Sequence, residues 1–133
     1  MAALTVIEFV EVDSDELNLW TSVTIPASYD HLLIRACLRA NNTNQDCDLG
    51  GRLNGDDGTN YSNTSVYNYG SGPASNRNTG QTKVTFFQCN GNTATTDTFG
   101  ALEMWIPNYA NTTGYKSIFT RSAVEGATTA TFD

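Results

Sequence analysis

The chain has 133 residues, enough for one domain with a single hydrophobic core. Its formal net charge of −7, from 14 acidic and 7 basic residues, argues against binding to nucleic-acid phosphates. It has no apolar run of about 18 residues and no basic, apolar leader at Met1–Thr5, so we expect neither a membrane span nor export.

Small polar residues dominate the composition, with 14 Asn, 19 Thr, 9 Ser and 11 Gly, which is 53 of 133 residues. Only 16% of the residues are charged and 39% are hydrophobic, which is too apolar for a disordered chain. These residues are therefore expected to form turns and strand faces, which is typical of an all-β protein.

Apolar and β-branched runs between polar turns predict about eight strands and little or no helix. In chain order they lie near residues 4–12, 17–25, 31–40, 47–54, 60–69, 82–89, 98–106 and 115–124. Four large aromatic side chains are expected in the core: Trp20, Phe86, Phe99 and Trp105. We therefore predict one all-β domain over residues 1–133, an antiparallel two-sheet sandwich of jelly-roll or Greek-key type.

The first predicted strand, Thr5–Val12, is apolar at both odd and even positions. Such a pattern fits either a strand covered on both faces or an arm that lies on a neighbouring subunit. Two alternatives stay open for residues 1–12: an internal strand of the sandwich, which is slightly favoured, and an N-terminal arm or edge strand that contacts a neighbouring subunit. The predicted partner contacts of this segment are Val6, Ile7, Phe9 and Val10.

Two turn signals, Asn-Gly and Asp-Gly, follow the fourth predicted strand. Glycine accepts positive φ, so these pairs favour a tight reversal. The turn residues are Asn54, Gly55, Asp56, Asp57 and Gly58. The adjacent carboxylates invite a calcium or glycosidase interpretation, but neighbouring strand residues point in opposite directions, which favours a structural turn.

The segment Gly70–Gly80 contains no strong apolar run and is predicted to be an exposed loop. Arg77 in this segment, with Tyr67 and Tyr69 before it, is a predicted partner contact. The tyrosines fit subunit contacts better than a sugar-stacking face.

Three cysteines, Cys37, Cys47 and Cys89, cannot all pair within one chain. A bond between Cys37 and Cys47 is disfavoured because alternation puts Cys37 opposite the apolar face, whereas Cys47 is in phase with Leu49. We expect free thiols, as in a reducing cytosol.

Signs of catalysis are weak. His31 is the single histidine, and neither a nucleophile motif nor a metal-ligand spacing accompanies it. We therefore predict a non-enzymatic protein without a cofactor or metal, in which His31 has a structural role.

The order of motifs over residues 17–122 resembles a family of small β-sandwich virion structural proteins of tailed bacteriophages. The resemblance is carried by Ile25-Pro26, Tyr29 with His31-Leu32, Arg52-x-Asn54-Gly55-Asp56 with Asn60-Tyr61, and Phe99-Gly100 leading to Tyr109 and Lys116. It implies a jelly-roll-like fold and no established catalytic residues.

The resemblance implies a capsid decoration or cement protein on the outer surface of the head, made in the host cytoplasm. Its expected partners are the major capsid protein and further copies of itself in a homotrimer. Related chains often continue past the Lys116 strand, so an exposed sheet edge is expected here, which favours obligate assembly. The alternative is a receptor- or glycan-binding head domain of a tail fibre, although such a tip normally needs a stalk.

Overall fold

A computed structural model describes residues 4–11, 24–68, 72–124 and 129–132, and these ranges contain strands but no helix. The all-β prediction is confirmed. The eight strands are β1 (His31–Leu38), β2 (Asp46–Gly51), β3 (Tyr61–Asn68), β4 (Pro73–Gln81), β5 (Val84–Asn90), β6 (Gly100–Pro107), β7 (Phe119–Val124) and β8 (Thr129–Phe132).

Two antiparallel sheets share these strands. The large sheet has the order β1-β6-β7-β8-β3-β4, and the small sheet pairs β2 with β5. Strand β5 lies against β6 and β7, so the small sheet covers the middle of one face of the large sheet. This layering agrees with the predicted sandwich, with six strands in one layer and two in the other.

Strand β6 shows why the sheets pack in this way. Because side chains alternate along a strand, Leu102, Met104 and Ile106 all point to one face, and each is buried. They form the core with Val84 of β5. The opposite face of β6 is the outer face of the large sheet.

The prediction of a first strand at residues 4–12 needs correction. Residues 4–11 form no strand, and residues 17–23 of the second predicted strand lie outside the described ranges. The predicted loop at 70–80 is also wrong, since most of it is strand β4, paired with β3. Strand β4 is at the sheet edge and nearly all its side chains are exposed, so its composition carries no apolar signal.

The prediction of an aromatic core is also wrong for the two aromatic side chains that the structure describes. Trp105 is 43% exposed and Phe99 is 49% exposed. Trp20 and the side chain of Phe86 lie outside the described part. Trp105 shares its phase on β6 with Glu103, which places both on the outer face rather than among the core residues.

The Asn54-Gly55 turn joins the two sheets. Both residues have positive φ, 51° and 72°, and the Asp56 amide donates to the Leu53 carbonyl at 3.0 Å. These are the features of a type I′ reversal. It connects β2 of the small sheet to β3 of the large sheet, so it is not the turn of a hairpin.

A second connection between the sheets, residues 91–99, is held by Arg39. Its guanidinium donates to four backbone carbonyls, at distances of 2.8 to 3.2 Å, and these belong to Asn92, Ala94, Thr95 and Thr98. At the start of this segment the Gly91 amide donates to the Gln45 carbonyl at 2.8 Å. The segment therefore has little freedom to shift.

Gly91→Ala should destabilise the fold because the new Cβ would lie 2.1 Å from the Asn44 carbonyl oxygen. We expect a loss of about 1–3 kcal/mol in the free energy of unfolding, measured by urea denaturation. The matched control is Gly114→Ala, where a Cβ meets nothing within 4 Å. It should change stability by less than about 0.5 kcal/mol, and equal losses for both variants would contradict the packing argument.

Candidate protein-binding face

The candidate site lies on the outer face of the large sheet, across β1, β6 and β7. The register pairs Leu33 with Trp105 and Arg35 with Glu103 between β1 and β6. Strand β7 then pairs Phe119 with Trp105 and Arg121 with Glu103. Because opposed residues share a face, these side chains form two parallel rows across three strands.

The row of Leu33, Trp105 and Phe119 carries two aromatic rings, and His31, which pairs with Pro107, lies beside it. The rings of Trp105 and Phe119 are stacked, with centroids 5.6 Å apart and planes at 30°. His31 meets Trp105 edge to face at 5.7 Å. We call His31, Trp105 and Phe119 the aromatic row. Trp105 is 43% exposed and Phe119 is 56% exposed, so both rings present apolar surface to solvent.

His31 is fixed from both sides. Its Nδ1 accepts a hydrogen bond from the Asn108 amide at 3.1 Å, and its ring contacts Trp105. Asn108 has a φ of 49°, in the left-handed region, where Asn is tolerated better than most residues. These contacts hold the His31 ring against Trp105, and the structural role of His31 stays a prediction.

The second row is an ion cluster, which we call the Arg–Glu–Arg triad: Arg35, Glu103 and Arg121. Glu103 accepts from the Arg35 Nε at 2.7 Å through one oxygen and lies 2.7 Å from an Arg121 nitrogen through the other. The hydrogen bond from Arg35, followed by the charge of Arg121, lowers the pKa of Glu103 below its usual range. Glu103 is half-buried between the two arginines and holds them on the sheet surface.

Basic charge is concentrated on this face. Arg77 of β4 pairs with Thr64 of β3 and shares the outer face with Val66. Three of the chain's seven basic residues therefore lie there, and Glu103 is the single acidic residue in the six strands of the large sheet. Among the strand residues of this face three arginines therefore stand against one carboxylate, on a chain of net charge −7, which favours an acidic partner.

The outer face has only a shallow depression. A depression of about 240 Å³ lies between the two rows, lined by Glu103, Trp105, Phe119, Thr120 and Arg121. It is smaller than the roughly 300–1,000 Å³ typical of small-molecule pockets and is open to solvent. A surface of this shape suits contact with another macromolecule.

Of the partner contacts predicted from sequence, the structure places one on this face. Arg77 lies on it, whereas Tyr67 is half-buried and Tyr69 lies outside the described ranges. In the predicted arm, Ile7 is half-buried and the other three contacts are exposed: Val6 81%, Phe9 83% and Val10 53%.

The predicted turn residues, Asn54 to Gly58, lie between β2 and β3, in the connection between the sheets. There the Asp56 carboxylate accepts from the Gly58 amide at 2.9 Å and from the Asn60 side chain at 3.0 Å. These bonds, the Asn60 bond first, lower the pKa of Asp56. The carboxylate is thus occupied by local donors.

Sequence reasoning missed the aromatic row and the triad. The signal was present in the alternation of β6, because Trp105 shares a phase with Glu103 and not with Met104. Treating every large aromatic residue as core obscured that phase. Pairing β6 with β1 could not be foreseen, since these two strands are far apart in the sequence.

No protein-family model matches the chain, and comparisons with curated proteins and with solved structures find no match. They give no support to the resemblance to phage structural proteins, which stays a prediction. Among the described residues no group of three or more His, Cys, Asp or Glu is arranged to hold a metal ion. The same ranges include no helix long and apolar enough to cross a membrane.

The triad predicts an acid-sensitive contribution to stability. Since folding lowers the pKa of Glu103, its ion pairs stabilise the fold above the usual glutamate range, and that contribution disappears as the pH falls through the lowered pKa. Glu103→Gln should therefore lower Tm slightly at neutral pH, and the gap from wild type should close in acid, as measured by circular dichroism.

The matched control is Asp57→Asn, which removes one negative charge from an exposed turn. Its Tm should follow wild type across the same pH range. A gap for Glu103→Gln that persists unchanged at low pH would contradict the ionic role of Glu103.

Proposed function

We propose that this chain is a non-enzymatic virion structural protein, a capsid decoration or cement protein that binds the outer surface of a phage head through the outer face of its large sheet. The observation that carries this proposal is the exposed aromatic row beside the Arg–Glu–Arg triad. The phage context comes from the resemblance of the sequence motifs, and the binding role comes from the geometry of the face.

The side chains on the face suit a protein partner. Tryptophan and arginine are the residue types most enriched among those that dominate binding energy at protein interfaces. Here Trp105 is held by two ring contacts, and Arg35 and Arg121 are held by Glu103. Side chains that are already ordered lose less conformational entropy on binding, which leaves more of the contact energy as affinity.

The charge of the face indicates the partner's chemistry. Its arginines, with Glu103 as the single acid, favour an acidic patch on the major capsid protein. Attraction between exposed charges is screened by salt, so the rate of association should fall as ionic strength rises. The aromatic row would supply the part of the affinity that salt does not weaken.

Further copies of the chain are the second proposed partner. The segment 4–11 exposes Leu4, Val6 and Phe9, each at 80% or more, and forms no strand. An exposed apolar segment of high β propensity can pair with the edge of a neighbouring sheet. This supports the proposed homotrimer, with the arm as the contact between copies, and leaves the outer face for the capsid.

The second candidate function is glycan binding by a tail-fibre head domain. It is favoured by the exposed Trp105 and Phe119 rings beside polar groups of the triad. Location separates the two functions. Hundreds of copies spread over the head of purified virions would support decoration, whereas a few copies at the tail tip would contradict it.

Trp105→Ala should weaken binding to heads assembled without this protein. Removing the central ring of the row should cost about thirtyfold or more in affinity, measured by co-sedimentation. Heads saturated with wild-type protein should also withstand a higher temperature than bare heads. Heads mixed with the variant should be no more heat-stable than bare heads.

The matched control is Tyr115→Ala, since Tyr115 is fully exposed and lies outside the strands. It should bind as wild type does. Equal binding by Trp105→Ala and wild type would overturn the role of this face, and glycan-dependent binding lost in Trp105→Ala would establish the second candidate function.

Replacing Val6 and Phe9 together by Ser should shift the oligomer toward monomer, measured by light scattering. Both side chains are more than 80% exposed, so the fold should survive, with a circular dichroism spectrum like that of wild type. Thr5→Ser is the control, since it is exposed in the same segment and stays polar. An unchanged molar mass for the double variant would contradict the arm as the subunit contact.

A further inference from the structure

Two cysteines far apart in the sequence lie directly opposite each other in the small sheet. The register of β2 and β5 pairs Cys47 with Cys89, between the pairs Asp46–Asn90 and Asp48–Gln88. The ladder shifts only after Leu49, so this part of the pairing is regular. All three cysteines of the chain are free thiols in the structure.

The geometry of an antiparallel pair brings these two thiols within bonding reach. Directly opposed residues have Cβ atoms about 4.5–5.5 Å apart, and a disulfide needs about 3.5–4.5 Å. A small local approach of the two strands closes that gap. Cys37, in contrast, is opposite Ala101 on the outer face of the large sheet.

The two thiols differ in access. Cys89 is 1% exposed, and Gly100 packs so closely on it that a Cβ there would lie 2.8 Å from the Cys89 Cα. Burial, and after it the neighbouring Cys47, raises the pKa of the Cys89 thiol to about 11. Cys47 is half-buried and is therefore the thiol that a reagent reaches first.

We propose that Cys47 and Cys89 form a redox modification site, at which a low-molecular-weight disulfide such as glutathione disulfide converts the two thiols into a cross-strand bond. The Cys47 thiolate attacks one sulfur of glutathione disulfide and releases glutathione thiolate. Cys89 then loses its proton and attacks the Cys47 sulfur, displacing the second glutathione. The protein loses two protons and two electrons, and one glutathione disulfide becomes two glutathiones.

The bond would fasten the small sheet after the protein leaves a reducing compartment. It would close a loop of about 40 residues, which includes the Asn54-Gly55 connection and the β3–β4 hairpin. Removing that freedom from the unfolded chain stabilises the folded one. Reduction restores the two thiols, so the oxidation state of the pair follows the redox conditions around the protein.

The test uses the full chain with Cys37→Ser, which removes the exposed thiol. After equilibration with glutathione disulfide, intact mass should fall by about 2 Da, one hydrogen from each thiol. Non-reducing peptide mapping should join the peptides of Cys47 and Cys89. Tm should rise by roughly 10 °C and return to its starting value after reduction.

The control is the double variant Cys37→Ser, Cys47→Ser, which keeps the buried Cys89. It should show no loss of two hydrogens and no rise in Tm under the same oxidant. Two free thiols, or only a glutathione adduct, in the Cys37→Ser protein would overturn the proposal. A bond that forms without raising Tm would overturn the fastening role.

Discussion

The structure depends on how β6 divides its side chains between two faces. Its neighbours β1 and β7 fix it from both sides, so the alternate residues have no freedom to exchange faces. One face of β6 packs against the small sheet through Leu102, Met104 and Ile106. The other face presents Glu103 and Trp105 to solvent. A shift of one residue would bury the glutamate and expose the core. The same register therefore creates both the stability of the fold and the proposed binding face.

The proposed face is rigid for a related reason. Its central groups are held by neighbours on the next strand: Trp105 by Phe119, and Glu103 by Arg35 and Arg121. These contacts are individually weak because they are exposed. Their combined effect is to keep large side chains in one arrangement. That is useful for recognition even where it adds little to folding.

Sequence reasoning recovered the fold class and most strands of the middle of the chain, because alternation and turn residues are local signals. It failed at β4, where an edge strand with exposed side chains has no apolar pattern. It failed for Trp105 because the size of the side chain was given more weight than its position in the alternation of β6. The triad and the opposed pair Cys47–Cys89 depend on register between distant strands, which a single sequence does not specify.

Arg39 and Glu103 give two parts of the molecule different responses to acid. Arg39 binds backbone carbonyls, which do not titrate. The acceptors through which Arg39 holds the connection at 91–99 therefore do not change with pH. The arginines of the outer face are restrained by a carboxylate that can be neutralised. In acid the arginines of the outer face would lose this restraint, while the hydrogen bonds from Arg39 to the connection at 91–99 would remain.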